Sequence, residues 1–254
     1  MNELPEDLEL FKARDRPVDL VRPLTTYALI AAIVLIYFAE SSVYYGVDTP
    51  KSNPDRAGLI AMGALSAQLV FHDGQWFRLL TAELLHGGPA HIFLNSLALF
   101  CAGSLELFIG AAWFLAIFAL SALGASLFSV AFNPAELLSV GASGAILGLF
   151  GAQVVIAYLR VPKGKLRSQL TDRAWQILFP TLAAFTTASD GSRLDFAAHL
   201  GGTITGLVAG ALLTLLWPSG VGRPRAQTLA LAINCAAGMV LIYAAVILIA
   251  HRAS

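Results

Sequence analysis

The chain has 254 residues, of which 57% are hydrophobic and 13% are charged, and its mean hydropathy is +0.72. Soluble domains carry about 25% charged residues, so this composition excludes an ordinary soluble domain and predicts a protein embedded in a lipid bilayer. The 16 basic and 16 acidic residues cancel. The charge therefore gives no indication of a nucleic-acid partner, and we expect none.

Residues 1–24 are polar and contain several acids. They lack the apolar core of a signal peptide and the Arg-rich, acid-poor composition of a transit peptide. We therefore expect a cytoplasmic N-terminal segment followed by a retained first membrane helix. Because no organelle-targeting pattern is present, we expect a multi-pass protein of a bacterial inner membrane.

Seven apolar stretches come next, and a membrane-spanning helix takes about 20 such residues. The fifth stretch is short and contains Pro180. The pattern predicts an all-α, polytopic membrane protein. The predicted spans are 25–45, 90–108, 111–132, 142–159, 174–189, 196–217 and 228–250.

Residues 46–89, between the first two spans, are too polar and too interrupted to cross a bilayer. We expect an interfacial loop of short amphipathic helices, with Trp76 and Phe77 at the level of the lipid headgroups.

The basic residues predict the orientation of the spans. With the N-terminus in the cytoplasm, eleven Lys and Arg residues lie on the cytoplasmic side and five on the other side. The positive-inside rule favours this arrangement. We interpret the strongest contributor, "RVPKGKLRSQLTDR" at 160–173, as a topology signal only.

Polar side chains stand near the extracytoplasmic ends of three spans. His91 and Asn95 begin the second span, Ser143 begins the fourth, and His199 lies near the start of the sixth. Polar groups inside a membrane are costly and are by default candidates for function. The topology predicts that these four side chains converge at one depth.

This set of residues fits acyl transfer. A serine hydroxyl becomes a nucleophile when a base takes its proton, and histidine has a suitable pKa. His91 and Asn95 are four residues apart on one helix face, so both can donate to an oxyanion. The Ser143 amide adds a donor at a helix N-terminus.

Glycines flank these positions. Gly141 and Gly144 bracket Ser143 and allow backbone and substrate to approach closely. In the sixth span, a spacing of four residues predicts a close helix-packing face that brings His199 toward Ser143. The glycines with this spacing are Gly202, Gly206 and Gly210.

Each of these residues also has an ordinary structural explanation. Serine in a membrane helix commonly bonds the carbonyl four residues earlier, and a lone histidine commonly packs in a core. Only the joint pattern favours a site. Cys101 and Cys235 lie in apolar segments without metal-ligand spacing, so we expect free thiols and no metal.

Five features resemble those of the rhomboid family of intramembrane serine proteases. "HIFLN" resembles its HxxxN motif, "GASGA" its GxSG motif, and "AHLGGTITG" its AHxxGxxxG motif. "WFR", followed by "HGG", resembles its first extracytoplasmic loop, and Glu106 with Gly110 resembles the end of its second helix. The matching segments are 76–78, 86–88, 91–95, 141–145 and 198–206.

The resemblance implies three segments. Residues 1–24 are the cytoplasmic segment, 25–217 form a six-helix rhomboid core that includes loop 46–89, and 218–254 supply a cytoplasmic linker and one C-terminal transmembrane helix. The seventh helix is similar to the extra helix of one branch of the family.

The resemblance also implies roles. Ser143 is the nucleophile and His199 the general base of a dyad. His86 orders water or the loop, and Arg78 with Trp76 holds the loop in the interface. Substrates are transmembrane proteins in the bilayer, cut near their extracytoplasmic ends after small side chains, without any cofactor. The oxyanion and substrate-binding residues are His86, His91, Asn95 and Gly141.

Two positions leave alternatives open. Some family members place an aromatic residue one turn after the nucleophile, where this sequence has Leu147. Asp195 lies four residues before His199, so it is either a third catalytic acid or, more simply, the N-cap of the sixth span.

Two other functions compete with proteolysis. A non-proteolytic rhomboid-like protein would bind transmembrane helices, but such proteins usually lack the serine or the histidine. A small-solute transporter would use the polar cluster for translocation, but the sequence contains no internal repeat of the kind many transporters show.

Overall fold

The structure is a computed structural model that describes residues 22–44, 56–183, 194–217 and 222–253. These residues form ten α-helices and no strand. The prediction of an all-α fold is confirmed. The helices are α1 Leu24–Tyr44, α2 Arg56–Met62, α3 Ala67–Phe71, α4 Arg78–Thr81, α5 Pro89–Ile109, α6 Ala111–Phe132, α7 Ser143–Arg160, α8 Lys165–Ala183, α9 Phe196–Leu215 and α10 Gln227–Ala253.

Six of the described helices are long and apolar enough to cross a membrane, namely α1, α5, α6, α7, α9 and α10. They correspond to predicted spans one to four, six and seven, and their ends lie within a few residues of the predicted ends. The prediction of a polytopic membrane protein is therefore confirmed.

The fifth predicted span, 174–189, falls on a helix that begins earlier in the chain. Helix α8 starts at Lys165, where the carbonyl of Gly164 accepts the N–H of Ser168 at 3.1 Å. Its first two turns are mostly polar, so hydropathy excludes them although they are helical. For the same reason α8 is not among the six apolar helices, and residues 184–189 lie outside the described ranges.

Helices α7 and α9 touch backbone to backbone. A Cβ atom on Gly202 would lie 2.0 Å from the carbonyl oxygen of Gly144, and one on Gly206 would lie 1.9 Å from that of Gly148. No larger residue fits there, so the two helices approach as closely as their backbones allow. The predicted glycine packing face is confirmed.

Helix α7 is the centre of the molecule and α10 lies at its edge. In α7, 72% of the span is buried inside the protein, against 6% in α10. Helix α6 and α9 enclose α7, and α10 packs on the outside of α6. The helix that begins with Ser143 is therefore the best shielded from lipid.

The loop between α1 and α5 folds inward. The guanidinium of Arg78, which is 4% exposed, donates from Nη1 to the carbonyls of Ile60 and Ala64 at 2.8 Å each. Phe77 is buried against an aromatic ring of α10, while Trp76 is 53% exposed. Helix α10 therefore covers Phe77, and the headgroup-level position of Trp76 and Phe77 stays a prediction. Arg78 thus joins the later part of the loop to its earlier part by hydrogen bonds.

The opposite end of the bundle is fastened by Glu106. Its carboxylate accepts the N–H groups of Thr25 and Thr26 at 2.9 and 2.7 Å and the Thr26 hydroxyl at 2.7 Å. These are free amides of the first turn of α1, and a negative charge stabilises that helix end. Gly110, with φ of +88°, makes the turn into α6.

Candidate active site

The structure brings Ser143 and His199 together. Ser143 is the first residue of α7 and His199 lies in the first turn of α9. The Ser143 Oγ is 2.8 Å from the His199 Nε2, a hydrogen-bonding distance. The histidine is 4% exposed and the serine is half-buried. A hydroxyl and an imidazole 56 residues apart in sequence thus form one pair.

Gly141 makes the sharp turn that precedes α7. Its φ is +122°, a backbone conformation that side chains rarely allow. A Cβ atom there would lie 2.5 Å from Cε1 and 2.6 Å from Nε2 of His91, and 3.5 Å from Nδ2 of Asn95. His91 and Asn95 therefore lie against the backbone just before Ser143, as the topology predicts.

Gly144 has a different reason to be glycine. A Cβ atom there would lie 2.4 Å from the Cβ of Ala125 and 3.1 Å from the carbonyl of Ala198. It is needed for packing of α7 against α6 and α9. The close backbone approach expected at Gly144 is confirmed, and the approach of a substrate there stays a prediction.

His86 orients Asn95. The His86 side chain is fully buried, and its Nε2 lies 3.0 Å from the Asn95 Nδ2. Burial, with the charge of neighbouring His91, lowers the pKa of His86 to about 3. The ring is therefore neutral near pH 7, and its Nε2 accepts one N–H of the amide. The second N–H of Asn95 stays available for another acceptor.

Asp195 is the N-cap of α9. Its carboxylate accepts the N–H of Ala198 at 2.9 Å, the amide of Asn133 at 2.7 Å and the hydroxyl of Ser129 at 2.5 Å. Nδ1 of His199 has no hydrogen-bonding partner among the described residues. Of the two alternatives for Asp195, the structure supports the cap.

Two buried acids near the site do not follow from the sequence patterns. The carboxylate of Glu40, on α1, accepts the backbone N–H of His86 at 3.3 Å. Glu83, in the turn after α4, accepts the hydroxyl of Ser126 at 3.3 Å. The only signal available was an acid inside an apolar stretch, as in "TAELLHGG".

Comparison with known proteins adds an independent observation. The sequence model of the Rhomboid domain matches residues 73–215, which is more than half of the chain. The match includes His91, Asn95, Ser143 and His199.

The chain belongs to the rhomboid family.

Several curated relatives of this rhomboid are named as proteases. Rhomboid protease GluP of Bacillus subtilis (strain 168) is 34% identical over 195 residues, which cover 76% of this chain and 36% of GluP. Rhomboid protease AarA of Providencia stuartii is 31% identical over 200 residues, covering 71% of this chain and 69% of AarA. RHOMBOID-like protein 5 of Arabidopsis thaliana is 32% identical, covering 68% and 55%. This rhomboid thus spans about a third of GluP and about half of the Arabidopsis protein.

Proposed function

We propose that this chain is an intramembrane serine endopeptidase that hydrolyses peptide bonds in or near transmembrane segments of membrane proteins. The observation that carries the proposal is the 2.8 Å contact between the Ser143 Oγ and the His199 Nε2. The protease names of its relatives GluP and AarA support it.

In the proposed reaction, His199 Nε2 takes the proton of Ser143 as the oxygen attacks the scissile carbonyl. The resulting imidazolium then gives this proton to the leaving amine, and an acyl-enzyme remains on Ser143. A water molecule attacks the acyl group with His199 again as base, and the serine is released. Two residues suffice for these steps, so the proposal is a dyad.

The negative charge that develops on the oxygen of the scissile carbonyl needs hydrogen-bond donors that are already in place. The first amides of α7 have no partner within the helix, and Ser143 supplies the first of them. The side chains of His91 and Asn95 lie on the other side of the same turn, against Gly141. We propose that these three donors form the oxyanion hole and that His86 holds the Asn95 amide in its donating orientation.

The position of the pair also indicates a substrate class. It lies at the starts of α7 and α9, and we propose that these starts are close to one membrane face, where a cavity lined by protein would admit water. A substrate helix must unwind there before its carbonyl is exposed, and unwinding in lipid leaves amides unsatisfied. We therefore propose transmembrane substrates with small or helix-weakening residues near their outer ends.

We propose an orientation with the N-terminus in the cytoplasm of a bacterial cell, so that the pair faces outward. The excess of eleven over five basic residues supports it. We also propose that the catalytic unit extends from residue 25 to 217. Helix α1 lies outside the matched segment 73–215 but contacts it at both ends. Its Glu40 accepts the backbone N–H of His86, and its first turn is bound by the carboxylate of Glu106.

Covalent labelling tests the dyad and the orientation together. A membrane-impermeant fluorophosphonate probe should label wild-type protein on Ser143 in intact spheroplasts, because the hydroxyl is activated by His199 and lies near the outer face. Peptide mapping by mass spectrometry locates the adduct. Inside-out vesicles should remain unlabelled.

The matched control is His199→Ala, which keeps the serine but should lose labelling by about 10³-fold. Labelling of His199→Ala at the wild-type rate would exclude the dyad. Labelling confined to inside-out vesicles would exclude the proposed orientation and leave the dyad standing.

The geometry of Asp195 gives a further expected result. Asp195→Asn should keep turnover within about threefold of wild type, because asparagine caps a helix as well as aspartate does. Loss of a triad acid would instead lower turnover by about 10⁴-fold. Steady-state cleavage in detergent distinguishes the two, and a loss near 10⁴-fold would show that Asp195 acts on His199.

A further inference from the structure

One short turn holds the backbone on both sides of Ser143. The carbonyl of Ala82 accepts the N–H of Gly141, two residues before the serine, at 2.9 Å. The carboxyl of Glu83 faces the backbone N–H of Ala145, two residues after it. Adjacent residues of one turn therefore lie against both flanks of the proposed nucleophile.

The Glu83 carboxyl is enclosed by the outer ends of two helices. The residue is 5% exposed and accepts the Ser126 hydroxyl of α6 at 3.3 Å. Ser126 follows Ala125, which packs against Gly144 in the first turn of α7. The carboxyl thus occupies the place where α6, α7 and the turn meet.

The start of α7 has no cap of its own. Its N-cap residue is Ala142, which offers no side-chain acceptor, whereas α9 begins with the capping carboxylate of Asp195. Uncapped first-turn amides weaken a helix start. The Glu83 carboxyl, from a different part of the chain, is an acceptor placed beside this turn, and its buried Oε2 has no hydrogen-bonding partner among the described residues.

We propose that Glu83 is a positioning residue for the nucleophile, holding the first turn of α7 so that the Ser143 hydroxyl and amide stay aligned between His199 and the oxyanion-binding side chains. This inference rests on the proposed protease function. Glu83 acts only through Ser143 and α7.

The protonation of Glu83 fits this role. Burial raises the pKa of Glu83 well above its ordinary value, so the neutral acid is favoured. A neutral acceptor can face the Ala145 amide without placing a full negative charge beside the developing oxyanion, which would oppose it. An amide side chain reproduces both properties.

Three substitutions test the inference through the separation of kcat from KM. Glu83→Gln keeps an acceptor of the same size and should retain kcat within about threefold. Glu83→Ala removes the acceptor, and Glu83→Asp withdraws it by one methylene. Both should lower kcat by 10- to 100-fold with KM within twofold, because a misplaced nucleophile slows chemistry without changing substrate binding. Cleavage of a transmembrane substrate in detergent, well below Tm, gives both constants.

The matched control is Glu136→Ala, which removes an exposed acid in the loop before α7 and should leave both constants unchanged. Wild-type kcat in Glu83→Ala would overturn the inference, and so would a Glu83→Gln protein as slow as Glu83→Asp. If Glu83→Ala does not fold, the comparison of Gln with Asp decides. Ser143→Ala, measured in parallel, separates failure of the Glu83 inference from failure of the proposed function. Cleavage by Ser143→Ala would overturn the serine-protease function itself.

Discussion

Replacing Ser143 by alanine should lower the cleavage of a transmembrane substrate by at least about 10³-fold, because in the proposed mechanism Ser143 carries the acyl group. The fold should be unaffected. Within the part of the chain that the structure describes, the hydroxyl has a hydrogen bond only to His199, so Tm should change by no more than about 2 °C. The measurement is reconstitution in liposomes with a type I membrane substrate, followed by mapping of the cut.

Ser104→Ala is the matched control, because Ser104 lies on α5 and bonds Gln153 of α7 far along the helix from the site. It should cleave at the wild-type rate. Cleavage by Ser143→Ala would exclude a serine protease. Wild-type protein that retains transmembrane helices without cutting them would favour the non-proteolytic, helix-binding alternative.

Replacing Gly206 by alanine should disrupt both stability and activity. The new Cβ would lie 1.9 Å from the carbonyl oxygen and 2.4 Å from the carbonyl carbon and Cα of Gly148. These are backbone atoms that no side-chain rotation can move, so α9 must shift away from α7. Overpacking of this kind costs about 1–3 kcal/mol or more, and the shift carries His199 away from Ser143. Thermal unfolding in detergent and fluorophosphonate labelling measure the two effects.

Gly238→Ala is the control for this prediction. Gly238 lies in α10, and a Cβ atom there meets nothing within 4 Å. This variant should keep Tm and labelling, since alanine also suits a helix better than glycine. A Gly206→Ala protein with unchanged Tm would mean that the helices are not in backbone contact.

The two predictions have different signatures. Ser143→Ala should lose activity with Tm intact, whereas Gly206→Ala should lose both. An inactive variant can thus be assigned either to chemistry or to the packing that positions the chemistry.

The membrane helices and the Ser143–His199 pair follow from the sequence for physical reasons. Apolar runs must be about as long as a bilayer is thick, so their ends are constrained. Once alternate spans start at the same face, polar residues near those starts must share a depth. Glycines at a spacing of four then indicate which helices touch. These three constraints lead to the pair without coordinates.

The inward folding of the first loop does not follow from the sequence. A hydropathy average treats Arg78, Glu83 and His86 as surface residues, whereas each is buried with partners from elsewhere in the chain. Partners of this kind depend on three-dimensional contacts that no local spacing encodes. The early start of α8 has a similar cause, because polar residues such as Lys165 form a helix without raising hydropathy.

The seam of glycines between α7 and α9 also bears on protein engineering. Since main chain meets main chain at Gly144 and Gly202, the surface of each helix is complementary in shape to the other. If α7 alone were moved into another protein, it would lack the helix α9 against which its backbone packs. The smallest part of the protein that could be transferred with the site is therefore α7 and α9 together with the turn that contains Ala82 and Glu83.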